Sequence, residues 1–227
     1  MSVFELIDID KEFKNGRNVE KILKSVDLKL KEGELTALTG PSGSGKSTLL
    51  TIAACLQKKS DGIIKFNGQD ISKESDGKIR NIRAEKFGFV FQQAHLVTFL
   101  TVKEQLELML DTANVKLDKK DRNRKIDKVL EAVDLSNHKD SYPESLSGGE
   151  KQRAAIARAI IHDPEILFAD EPTASLDSKR SKEVMELIKS LSAKLGITVL
   201  MVTHDMDMLE YADSRVEMKD GQITAVE

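Results

Sequence analysis

The sequence predicts an α/β fold, a mostly parallel sheet with helices on both faces, and three observations predict it. First, EILFAD (165–170) and ITVLMV (197–202) are short, nearly continuous apolar runs, the pattern of strands buried on both faces. Second, the glycine-rich GPSGSGKS (40–47) lies between an apolar run and a helical one, at a strand-to-helix junction. Third, residues 93 to about 160 change to helical periodicity before β/α alternation returns, so the α/β core is interrupted by a helical insert.

In chain order, VFELIDI (3–9) reads as an opening strand, VDLKL (26–30) as an alternating second strand, and GELTALTG (33–40) as a strand running into the glycine-rich loop. A helix is expected from Lys46 to about Leu56. GIIKFNGQDI (62–71) carries an Asn67-Gly68 turn between two short strands, and FGFVF (87–91) is a short apolar strand. In the insert, TVKEQLELML (101–110) places Val102, Leu106 and Leu110 on one helical face, and KIDKVLEAV (125–133) does the same with Ile126, Val129, Leu130 and Val133; core packing accounts for both stripes. Residues 178–196 form an amphipathic helix stopped by Gly196, and RVEMKDGQITAV (215–226) folds back on Asp220-Gly221 as a hairpin.

Composition removes several function classes. The 35 Lys and Arg against 38 Asp and Glu give a net charge of −3, which argues against nucleic-acid binding by charge. Trp is absent and aromatic residues are 4%, too few for a base-stacking platform. The single cysteine, Cys55, excludes an internal disulfide or a Cys-based zinc cluster, and is expected to pack under the helix that follows the glycine-rich loop. The four histidines lack metal-ligand spacing. The N-terminus MSVFELIDIDKEF is acidic and has no long apolar run, so a signal peptide is not expected; runs such as VLMV are too short to span a bilayer. A cytosolic protein is the expectation.

GPSGSGKS fits G-x-x-x-x-G-K-[ST] with Gly40, Gly45, Lys46 and Ser47. Gly43 and Gly45 let the backbone curl so that N–H groups converge on phosphate oxygens. Lys46 brings a charge to the β- and γ-phosphates, and the Ser47 hydroxyl is placed for Mg²⁺. EILFAD delivers Asp170 and then Glu171 to a strand's C-terminal end, where α/β sheets bind ligands. Asp170 fits the Mg²⁺-holding role, and Glu171 points to the water that must be deprotonated. His204, at another strand end, could hydrogen-bond the γ-phosphate or the attacking water; alone, such a residue is more often an ordinary partly buried histidine. Gln92 alone is only a polar residue ending a strand. LSGGEKQR (146–153) is a second glycine-rich helix opening and hence a second anion site.

Together these pieces, in this order, resemble the ATP-binding-cassette ATPases. GPSGSGKS looks like their Walker A, FQQ their Q-loop, LSGGE their signature motif, ILFADE their Walker B, SLD their D-loop and THD their H-loop. The resemblance implies a P-loop NTPase fold over 1–227: a RecA-like core with an antiparallel β subdomain (1–92 and 161–227) and a helical subdomain carrying the signature (93–160). It implies that Gly40, Pro41, Ser42, Gly43, Ser44, Gly45, Lys46, Ser47 and Thr48 hold ATP, that Phe13 stacks on adenine, and that Ser47, Gln92 and Asp170 hold Mg²⁺. Glu171, His204 and Gln92 would be catalytic. For Phe13, an exposed or core-capping role is the other reading. Ser147, Gly148, Gly149 and Glu150, with Asp177, would meet the nucleotide held by a second subunit, which explains why one chain carries two glycine-rich helix openings.

Within the family, HLVTFLTVKEQLEL and LEYADSRVEMKDGQIT look closest to the MacB/LolD-like exporters, including those for haem and antimicrobial peptides. Glu104-Gln105 departs from the Glu-Asn frequent in that group. The expected protein is an ATPase subunit at the cytoplasmic face of the membrane, paired with a second, identical subunit and an integral membrane permease, and exporting haem, a peptide or another amphiphile. A cassette acting on nucleic acid or the ribosome is the alternative. No Asn-Lys-x-Asp motif supports a GTP switch.

Overall fold

The computed structural model describes residues 2–16 and 18–226. Two sheets are stacked. The first is antiparallel, in the order β2 (Asn18–Lys31), β1 (Ser2–Asn15), β4 (Asp61–Phe66), β5 (Gln69–Asp70). β1 is twice the length of the strand expected at 3–9, because bulges at Asp8 and Ser25, both at positive φ, bend the β1–β2 ribbon without ending it. The Asp8 N–H donates to Asp27 and the Ser25 N–H to Asp10, so side chains satisfy the backbone that the bulges release.

The second sheet has the order β10 (Gln222–Val226), β9 (Ser214–Lys219), β3 (Leu35–Thr39), β8 (Thr198–Val202), β7 (Ile166–Asp170), β6 (Phe87–Val90). All its pairings are parallel except β9–β10, the hairpin on Asp220-Gly221. Alternation along β7 and β8 feeds two cores. Phe168, Leu200 and Val202 face the antiparallel sheet and α1 (Lys46–Ala53); Leu167, Ala169, Val199 and Met201 face the helices. In the first core Phe4, Phe66, Phe87 and Phe168 meet edge to face at 5.2–6.0 Å between centroids.

The helices α3 (Val102–Thr112), α4 (Lys119–Ala132) and α5 (Gly148–Ile160) lie between β6 and β7 in sequence, and α6 (Ser178–Leu195) between β7 and β8. Val102, Leu106, Leu110, Ile126, Leu130 and Val133 are buried as their stripes require, while Val129 sits at the edge of that core. Three expectations need correction. Residues 93–101 are not helical: His95 has φ 45°, and Thr101 opens α3 with a capping box closed by Glu104. The helix after the glycine-rich loop stops at Ala53, not Leu56, because Cys55 turns to φ 55°. Cys55 therefore lies past the end of α1 rather than beneath it, with burial pushing its thiol up to about 11. A further helix, α2 (Asp76–Lys86), buries none of its residues and so has no apolar stripe by which periodicity could find it.

His162 is buried at the end of α5, its Nε2 3.1 Å from the Phe87 carbonyl and its Nδ1 without a partner among the described residues. Burial lowers its pKa, so the folded state disfavours the charged ring. Stability held by neutral His162 is present above the unfolded pKa of about 6.5 and lost as pH falls below it. The melting temperature is expected to drop between pH 6.5 and 5, and His162→Gln, which keeps a side-chain N–H for Phe87, to flatten that drop.

Candidate functional site

Because β3, β6, β7 and β8 run parallel, their C-terminal ends share one edge of the sheet. The glycine-rich loop follows β3, Gln92 follows β6, Asp170 ends β7, and His204 lies just beyond β8. The loop is shaped by its glycines. Gly40 has φ 135°, and a Cβ there would stand 2.0 Å from the Met218 carbonyl oxygen. Gly45, the N-cap of α1, has φ 99° and supplies no side-chain cap. The first-turn N–H groups of α1 are left uncapped, a ready anion site.

Lys46 is buried in the loop, its Nζ donating to the Gly40 and Pro41 carbonyls at 2.8 Å each, so its charge sits at the centre of the cradle. The Ser44 hydroxyl is buried without a hydrogen-bond partner among the described residues. Uncapped N–H groups, a central ammonium and an unused hydroxyl donor fit a polyphosphate. The Ser47 hydroxyl donates to Asp170 Oδ1 at 3.1 Å. These two hard oxygens fit a Mg²⁺-type cation, which takes few protein ligands and completes its shell with water and phosphate oxygens. No cluster of three or more acidic, His or Cys ligands exists among the described residues, so they offer no all-protein cage.

Burial raises the Asp170 pKa; the Glu171 charge adds to this, while the Ser47 hydrogen bond and Lys46 oppose it. An anion held there without a cation costs stability. Asp170→Asn is expected to raise the melting temperature of the nucleotide-free chain by roughly 1–3 °C while abolishing cation-dependent nucleotide turnover. Thermal melting and an ATPase assay on one preparation check both halves.

Glu171 sits at φ 47°, a left-handed conformation that costs of order 1–3 kcal/mol for a non-glycine residue. Its N–H donates to the Val202 carbonyl at 2.9 Å, which fixes the turn, and its Oε1 lies 2.9 Å from Nδ1 of His204. The two strand ends are thus brought into one carboxylate–imidazole pair. A cavity of about 600 Å³ is lined by Phe13, Ser42, Gly43, Gly45, Lys46, Ser47, Thr48, Glu171 and His204, with Ile22 beside Phe13. Phe13 is an exposed rim residue and not a core cap, with the Lys11 ammonium 4.8 Å from its ring centroid.

Other expected site residues lie apart from this cavity. Gln92 is exposed two residues beyond β6, whose Val90 pairs with Ala169 next to Asp170. Ser147 is the N-cap of α5 in a capping box: the Glu150 N–H donates to its hydroxyl at 3.4 Å, and its own N–H donates to Glu150 Oε2 at 2.7 Å. Ser147 and Gly148 are exposed and Gly149 buried, and none of them lines the phosphate cavity. Asp177 caps α6 and also pairs with Arg180 at 3.2 Å.

Sequence reasoning missed the groups that hold the segment after Gln92. Arg158 of α5 donates to the Ala94 and His95 carbonyls at 2.8 and 2.7 Å, and Gln152 to the Phe91 carbonyl at 3.1 Å. Gln105, where this chain departs from Glu-Asn, is buried; it accepts from the Val97 N–H at 3.1 Å and donates to the Leu100 carbonyl at 3.4 Å. The available signal was a polar residue in the apolar stripe of Val102 and Leu106, a position that demands partners.

The chain matches the ABC transporter family over residues 23–174. It is 42% identical over 217 residues to a protein of Staphylococcus saprophyticus named as a hemin import ATP-binding protein, HrtA, covering 96% of each chain. It is 38% identical over 223 residues to the bacitracin export ATP-binding protein BceA of Halalkalibacterium halodurans, covering 98% of this chain and 87% of the other. Among solved structures, the dimeric post-hydrolysis state of the ATP-binding cassette MJ0796 bound to ADP and Pi matches with a TM-score of 0.90 at 37% identity, over 99% of this chain and 97% of that one.

Proposed function

This chain belongs to the ABC transporter family, and from that premise we propose that it is the ATPase subunit of a MacB-like exporter, working as two identical copies under an integral membrane permease. The observation that carries the proposal is the separation, within one chain, of a complete phosphate cavity from the exposed, capped opening at Ser147–Gly149. Two chains packed head to tail would put the α5 N-terminus of one over the phosphate loop of the other, where its N–H groups and positive end oppose the γ-phosphate. The dimeric state of the MJ0796 cassette supports this arrangement.

In the proposed site, Phe13 stacks on adenine, the loop N–H groups and Lys46 bind the phosphates, and Glu171 takes the proton of the attacking water. His204, 2.9 Å from Glu171, orients that carboxylate and reaches toward the γ-phosphate. Mg²⁺ would be held by Ser47 and Asp170, with Gln92 reaching in from the end of β6, and would neutralise phosphate charge. Specific activity of the isolated chain is expected to rise with protein concentration through the dimerisation range. A monomer, verified by light scattering, that keeps full specific activity would sink the shared-site proposal.

No helix among the described residues is long and apolar enough to cross a membrane. A permease on another polypeptide and a peripheral place at the cytoplasmic face complete the proposal. Docking is proposed at 95–100. Leu96 packs on the core and Val97 and Leu100 are half-buried, but Phe99 is 77% exposed on the turn that Gln105 pins. Phe99→Ala is expected to reduce co-purification with the permease and transport several-fold while leaving ATP affinity and melting temperature in place. Ready unfolding of the mutant, with partner binding retained, would mean that Phe99 supports the fold and not the contact.

The relatives are ATP-binding proteins of transporters, which favours transport over action on nucleic acid or the ribosome. Their names differ in direction, one import and one export. Haem, a peptide or another amphiphile is the proposed cargo, and export is the proposed direction. Inside-out vesicles bearing the complex should accumulate cargo in their lumen on adding ATP, and loss of preloaded cargo instead would overturn export.

A further inference from the structure

The opening of α5 is braced from outside its own helix. A 3-10 turn, Ser136–His138, follows α4 and places His138 Nε2 3.3 Å from Glu150 Oε1. The other Glu150 oxygen accepts the Ser147 N–H at 2.7 Å, so His138 and the Ser147 backbone grip one carboxylate from opposite ends. On its far side, the His138 ring has Nδ1 3.5 Å from the Ser141 hydroxyl, and the His138 carbonyl accepts the Ser141 N–H at 3.0 Å.

The charged groups around Glu150 are few. His138 faces it from the 3-10 turn and Arg180 from α6, and both favour the ionised carboxylate. Arg180 is already paired with Asp177, and its side chain packs against Gly149, where a Cβ would stand 3.3 Å from Cδ. Lys139, next to His138, is engaged by Asp127 of α4, and Arg153 of α5 is divided between Asp134 and Glu183. The Ser147 N–H, above all, lowers the Glu150 pKa from its ordinary value, so the carboxylate is an acceptor for both partners.

We infer that His138 is a positioning residue for the Ser147–Gly149 opening, setting through Glu150 how firmly that opening caps nucleotide. The inference rests on the shared-site proposal above. Without the His138 contact one end of the Glu150 carboxylate is released, the N-cap loosens, and nucleotide capture weakens. The chemical step belongs to Glu171 and His204 and is not touched by this brace.

The test measures KM and kcat for ATP on the full-length dimer. Wild type is compared with His138→Ala, which removes the contact to Glu150, and His138→Gln, which keeps a donor there. The alanine variant should raise KM by about threefold, the scale of a partly exposed polar contact. The glutamine variant should return KM toward wild type, and the three kcat values should coincide. Equal KM in all three forms, or a glutamine variant no better than alanine, would overturn the assignment, whatever their melting temperatures. Ser147→Arg is run in parallel: if it leaves ATPase activity intact, the shared-site proposal has failed and this inference with it. If it silences activity while the three KM values agree, only the role of His138 has failed.

Discussion

Glu171→Gln should bind ATP with near-normal affinity and hydrolyse it at least about 100-fold more slowly than wild type. The amide has the size and polarity of the carboxylate, so the left-handed turn at φ 47° and the backbone bond to Val202 remain. What is lost is the basic oxygen proposed to receive the proton of the attacking water. The contact to His204 Nδ1, 2.9 Å in the native site, can persist as an amide hydrogen bond, so a fall in rate is not explained by displacement of His204. With ATP retained between two chains and not consumed, the nucleotide-bound dimer should accumulate, visible as a shift to twice the mass by size exclusion in ATP but not in ADP. A rate within about fivefold of wild type would remove Glu171 from the role of base.

Much of this site could be read along the chain, for a physical reason. A strand, a tight glycine turn and a helix are local features, so the phosphate loop is written in consecutive residues, and two apolar runs ending in Asp170-Glu171 and near His204 deliver their polar ends to one sheet edge by the parallel rule alone. The parts that could not be read are those in which distant segments meet. Arg158 reaches the carbonyls of Ala94 and His95 some sixty residues earlier, and His138 reaches Glu150 across a loop. No periodicity marks either contact. The antiparallel ribbon was underestimated because alternation breaks at the Asp8 and Ser25 bulges, and α2 escaped because it has no buried face. Family resemblance supplied what neither periodicity nor spacing could, the roles proposed for Phe13 and for the Ser147 opening.

Complementation between two inactive forms has the second large effect. Lys46→Ala removes the charge at the centre of the phosphate loop, and each chain carrying it should fail to hold ATP. Ser147→Arg removes the N-cap of α5 and sets a long cationic side chain at an exposed opening proposed to close over another chain's nucleotide. Each form alone should fall at least about 50-fold in ATPase activity, because each destroys both sites of a symmetric dimer. A mixed dimer differs. One of its sites combines both lesions, and the other joins an intact phosphate loop to an intact Ser147 opening. Random mixing makes half of the dimers mixed, each with one whole site of two, so activity should return to about a quarter of wild type if the sites fire independently. If both sites must fire together, turnover stays low, yet one ATP per mixed dimer should still be trapped when Glu171→Gln is added to the chain carrying Ser147→Arg. That chain supplies the intact phosphate loop and hence the Glu171 of the whole site. Mixed dimers, purified by two different tags, that neither hydrolyse nor trap ATP would mean the two glycine-rich openings do not share a nucleotide.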